Sequence, residues 1–83
     1  MSQQGQQMKL GQAAVEFKAG RLEEVQIRKN PSDVNQWFVM VRTAGGASLI
    51  LADERDAPIV DGDLTRLVGI LKDIGCREAR IFP

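Results

Sequence analysis

The stretch NQWFVMVRTAGGASLILAD, residues 35–53, places two apolar runs on either side of Gly45-Gly46. In an extended chain successive side chains point to opposite faces. Trp37, Val39 and Val41 therefore share one face, and Phe38, Met40 and Arg42 the other. Glycine tolerates the positive φ of a tight turn, so the two runs read as the arms of a β-hairpin. A two-residue Gly45-Gly46 loop would set Val41 opposite Ile50 and Met40 opposite Leu51, and a longer loop shifts the partners by one. In either register both faces of the hairpin are apolar. That is the pattern of a central strand with a layer on each side. A phosphate cradle would run from a strand into a helix N-terminus with further glycines at fixed spacing, and these surroundings are missing.

Toward the N-terminus, Val15 and Phe17 alternate with Glu16 and Lys18, and Val25 and Ile27 alternate with Gln26 and Arg28. Period-two alternation predicts two half-buried strands, joined by a hairpin turn at Lys18-Ala19-Gly20-Arg21. Asn30-Pro31-Ser32-Asp33 is a second turn leading into the central hairpin. Toward the C-terminus, Asp53–Asp56 turns the chain and Ala57–Val60 forms a short strand that Pro58 confines to an edge. Leu64, Leu67, Val68, Leu71 and Ile74 recur every three or four residues, which predicts a helix capped by Asp61 or Asp63 and ended by Gly75. Gly69 inside that helix costs about 1 kcal/mol relative to alanine, an expense expected to reflect close packing. Arg77–Phe82 makes a closing strand. The expected fold is α+β: a mainly antiparallel meander of about five to six short strands, one C-terminal helix packed on one face, and a final short strand.

Eighty-three residues hold one domain with a marginal core. Residues 1–12, with five glutamines, are expected to be a flexible tail, leaving residues 13–83 as a single small domain. Net charge is zero, which argues against a global electrostatic grip on nucleic acid or anionic lipid. The N-terminus has no basic segment followed by an apolar run, and no stretch approaches the roughly 20 apolar residues that span a bilayer. A single cysteine, Cys76, excludes an internal disulfide and fits a reducing compartment, so the cytoplasm is the expected location.

Catalysis has little to work with. Histidine is absent, removing the commonest general base near neutral pH and the commonest metal ligand. Cys76 follows the negative end of the predicted helix, where a thiolate is disfavoured. Asp53, Glu54, Asp56, Asp61 and Asp63 lack the alternating oxygen ligands of a calcium loop, since Arg55 and Ala57 occupy the third and fifth positions. No enzyme, cofactor or metal site is expected.

One helix covers one face of a sheet, whereas the central hairpin is apolar on two. The expected occupant of the second face is another copy of the chain, with Trp37, Phe38, Met40, Leu49 and Leu51 as candidate interface residues. A single-stranded nucleic acid is the alternative, held by Lys18, Arg28, Lys29, Arg42, Arg77 and Arg80 with Trp37 or Phe38 as a stacking platform. Glu16, Glu23, Glu24 and Glu78 among the same strands weaken that second reading.

Overall fold

A computed structural model describes residues 6–83. Among them are six strands and two helices in the order β1 (Gln7–Lys9), α1 (Leu10–Lys18), β2 (Leu22–Asn30), β3 (Asp33–Thr43), β4 (Ser48–Ala52), β5 (Val60–Asp61), α2 (Leu64–Asp73) and β6 (Arg80–Phe82). The strands lie in the order β1-β4-β3-β2-β6, and β5 pairs with β3. The fold is α+β, as expected, but two features of the expectation are corrected.

The first correction concerns residues 13–18, expected as a strand and found as helix α1. Val15 and Phe17 alternate with charged neighbours, yet Val15 is 55% exposed, which is not the burial of an inward-facing strand residue. The stripe that decides the conformation is Leu10, Ala13 and Phe17, at helical spacing: Ala13 is fully buried, and Leu10 and Phe17 pack against the core. Gly20 is accordingly the positive-φ residue just beyond the helix, at φ +74°, rather than part of a hairpin turn. Of the tail expected over residues 1–12, residues 1–5 lie outside the described residues. Gln7–Lys9 form β1, whose buried Met8 lies beside Leu51, and Leu10 opens α1. Glu54 supports that helix from outside: its carboxylate accepts a hydrogen bond from the Gly11 amide at 2.7 Å, at the end where unpaired N–H groups cluster.

The second correction concerns topology, because the sheet is mixed rather than an antiparallel meander. β2, β3 and β4 are antiparallel neighbours, while β1 runs parallel to β4 and β6 parallel to β2. The connections β1-α1-β2 and β5-α2-β6 both join parallel strands, and both cross the sheet toward the β6 edge. Such crossovers are right-handed almost without exception, so two that travel in the same direction place their helices on the same face. The core agrees: Ala13, Leu67 and Leu71 from the helices join Met8, Val25, Ile27, Val39, Val41 and Leu51 in a single cluster.

The central hairpin adopts the longer of the two loops considered. Met40 faces Ile50 and Val41 faces Leu49, with Ala44-Gly45-Gly46 as a three-residue connection. Gly46 has φ +95° and donates to the Thr43 carbonyl at 2.9 Å, the geometry of a type I turn closed by a left-handed residue. The predicted C-terminal helix is present. Asp63 is its N-cap, accepting from the Thr65 amide at 2.9 Å, and Gly75 follows its end at φ +99°.

Gly69 departs from its expectation of close packing. It is exposed, and a Cβ added there would meet nothing within 4 Å outside the helix's own backbone. Gly69→Ala should therefore raise stability by about 0.5 to 1 kcal/mol, read as a higher urea midpoint at unchanged slope. A lower midpoint would mean that something does pack on this position.

Candidate interaction surface

With both helices on one side, the opposite side of the sheet is left as an open face. Alternation assigns its side chains: Ile50 and Ser48 from β4, Phe38, Met40 and Arg42 from β3, Glu24, Gln26 and Arg28 from β2. Val60 of β5 lies next to Phe38, and Arg80 and Phe82 of β6 lie next to Gln26 and Arg28. Phe38, Met40, Ile50 and Phe82 are only half-buried, and Val60 is exposed. Phe38, Ile50 and Val60 together with Pro31 and Pro58 line a shallow depression toward one end of the strands.

The other end is charged. Glu24 lies 3.4 Å from Arg42 and 3.8 Å from Arg80, and accepts a hydrogen bond from the Gln26 amide at 3.1 Å. Back toward the first end, Gln26 accepts from Arg28 at 2.9 Å, and the Arg28 guanidinium, in the row of Phe38, stands 5.0 Å from the centre of the Phe82 ring. The hydrogen bond from Gln26 is the main influence holding the Glu24 carboxyl below its ordinary value; partial burial opposes it, and Arg42 and Arg80 assist. A carboxylate whose pKa falls on folding stabilises the fold at neutral pH, and that contribution disappears as pH drops through the lowered value.

The sequence-derived candidates divide between the two faces. Phe38 and Met40 are on the open face. Trp37, Leu49 and Leu51 belong to the helix-covered face, where Leu51 is fully buried and Trp37 and Leu49 pack against the core. Of the cations, Arg28, Arg42 and Arg80 share the open face. Lys18 ends α1, Lys29 stands 5.1 Å from the Trp37 ring centre on the covered face, and Arg77 is in the connection between α2 and β6. Sequence reasoning had no interface role for Ile50, Val60, Phe82, Glu24 or Gln26. Ile50 follows from hairpin register once the loop length is known, whereas Phe82 reaches this face only through a parallel pairing that no local pattern encodes.

Four of the five acidic groups weighed for chemistry accept hydrogen bonds from backbone amides. Asp53 accepts from the amides of Arg55 and Ala57, Glu54 from that of Gly11, Asp61 from that of Asp63, and Asp63 from that of Thr65. Among the described residues no three acidic or cysteine side chains converge to hold a metal ion. The Cys76 thiol lies 3.3 Å from the Glu78 carbonyl, and burial pushes its pKa up, away from thiolate reactivity. No helix among the described residues is long and apolar enough to cross a membrane.

The chain is thus a small α+β protein with a mixed sheet, both helices on one side and a half-apolar, half-charged sheet face on the other. No protein-family model, curated protein or solved structure matches it.

Proposed function

We propose that this protein is a non-catalytic interaction module of a reducing, cytoplasmic setting that self-associates as a homodimer through its open sheet face. The observation that carries the reading is the placement of Phe38, Met40, Ile50, Val60 and Phe82 on the one face that neither helix covers. A domain of this length buries only about 60% of its unfolded surface, so a second layer supplied by a partner adds stability that its own chain cannot. Two such faces stack as a β-sandwich, with sheets about 10 Å apart. Sedimentation equilibrium across low to high micromolar concentration should give a mass moving from one chain to two. A monomer throughout that range, with a native circular dichroism spectrum, would overturn the proposal.

One observation favours a second reading, in which the face binds single-stranded nucleic acid. Arg28, Arg42 and Arg80 share it with Phe38 and Phe82, a combination able to hold phosphates and stack bases. Glu24 at the centre of the cations weakens it. The two occupants compete for one surface, so fluorescence anisotropy of a labelled oligonucleotide separates them. Saturable, salt-reversible binding that dissociates the dimer supports the second reading. Trp37 is a poor reporter for this purpose, because it stands on the covered face.

A further inference from the structure

The open face is laid out in rows across the strands, and the rows have a property that bears on how two copies would meet. Across the β2–β3 pair, Arg42 stands beside Glu24, Met40 beside Gln26 and Phe38 beside Arg28. Continuing outward, Ile50 flanks Met40 while Arg80 flanks Gln26, and Val60 flanks Phe38 while Phe82 flanks Arg28. The two end rows thus join groups that attract each other: Arg42 with Glu24 in one, and in the other Phe38 with Arg28, flanked by the apolar Val60 and Phe82; the middle row sets Met40 beside Gln26 and Ile50 opposite Arg80, with no such pairing.

We infer that the partner of this face is a second copy of the chain, related by a two-fold axis parallel to the strands and centred between β2 and β3; this rests on the homodimer reading above. Rotation about that axis lays β3 of one copy over β2 of the other without changing the position along the strand. Arg42 then meets Glu24 of the second copy, Phe38 meets Arg28, Met40 meets Gln26, Val60 meets Phe82 and Ile50 meets the aliphatic part of Arg80, each contact occurring twice. An isologous interface must be complementary to itself, and this face fulfils the condition in its two end rows, while the middle row contributes only the aliphatic stems of its side chains. Displacing the axis by one strand breaks it: centred on β3, the rotation puts Arg42 against Arg42. The sandwich angle of about 30° between aligned sheets loosens the outermost contacts and preserves those near the axis, where the Arg42 and Glu24 pairs lie.

The same geometry fixes the test. Glu24→Arg confronts two arginines across the interface, and Arg42→Glu confronts two glutamates, so each variant alone should lose self-association by on the order of tenfold or more. Mixed together, the two variants restore opposite charges at both contacts and should form a heterodimer with affinity close to that of the wild type. The Arg42 side chain is 48% exposed and that of Glu24 23%, so circular dichroism checks the fold of each variant, with Glu24→Lys available should the arginine variant unfold. Size-exclusion chromatography with light scattering on each variant and on the equimolar mixture gives the answer. Monomeric single variants with a dimeric mixture support the inference. Single variants that dimerise like the wild type, or a mixture that stays monomeric, overturn the axis while leaving association through the open face standing. A wild-type chain that is monomeric at every concentration removes the homodimer reading itself.

Discussion

Ile27→Ala should lower the stability of the fold by about 2 to 5 kcal/mol, the range for truncating a fully buried branched side chain to a methyl group. Ile27 is fully buried in the middle of β2, beside Val39 of β3, and belongs to the cluster that both helices cover. The loss combines the transfer free energy of three carbons with the cavity they leave, which a close-packed core fills only in part. A chain of this length has a total stability of roughly 4 to 12 kcal/mol, so one truncation removes a large fraction of it. The melting temperature should fall by roughly 10 to 30 °C, and the urea midpoint with it, while the slope of the urea transition stays constant. Val15→Ala is the matching control. Val15 is 55% exposed, and its loss should change stability by no more than about 0.5 kcal/mol. Equal effects at the two positions would contradict the helical reading of residues 10–18.

That contrast also locates the limit of what the amino-acid sequence disclosed. The central hairpin and the α2 helix with its Asp63 cap and Gly75 end were legible, because each depends on signals within a few residues, and so was the second half of the expected Arg77–Phe82 strand, Arg80–Phe82. The segment around Val15 was not. Four residues of alternation outweighed a sparse helical stripe whose decisive member, Ala13, is small enough to pass as neutral. Missing α1 meant missing the crossover it makes, and with it the parallel pairing of β1 to β4. Parallel contacts join residues more than 40 positions apart, as Met8 to Leu51 and Ile27 to Ile81, and nothing local in the chain specifies them. The surplus apolar face was legible from residues 35–53 alone, since Phe38 and Met40 oppose Val39 and Val41 by simple alternation. Which other groups share that face was not, because Val60 and Phe82 arrive there through long-range pairing. Trp37, Leu49 and Leu51 entered the candidate interface for the same reason: alternation separates two faces but does not say which one the helices take.

Met40→Lys should leave the isolated chain folded and weaken self-association by about 100-fold or more, equivalent to roughly 2.7 kcal/mol. Met40 is half-buried at the middle of the open face, between Gln26 on one side and Ile50 on the other. In the monomer a lysine there extends its aliphatic stem over Ile50 and keeps its ammonium in water, at a cost of about 1 kcal/mol or less. In a sheet-on-sheet dimer both lysines are drawn into the interface, close to the cations Arg28, Arg42 and Arg80, where the one nearby carboxylate, Glu24, is outnumbered by the arginines beside it. Thermal unfolding supplies a second readout that does not depend on measuring mass. A dimer that dissociates on unfolding gains stability with protein concentration, so the wild-type melting temperature should climb as the chain is concentrated. That of Met40→Lys should stay flat over the same range, and Met40→Leu, which conserves apolar volume, should climb like the wild type. A lysine variant whose melting temperature tracks concentration as steeply as the wild type would mean that the chain associates through some other surface, and that the open face is not where its copies meet.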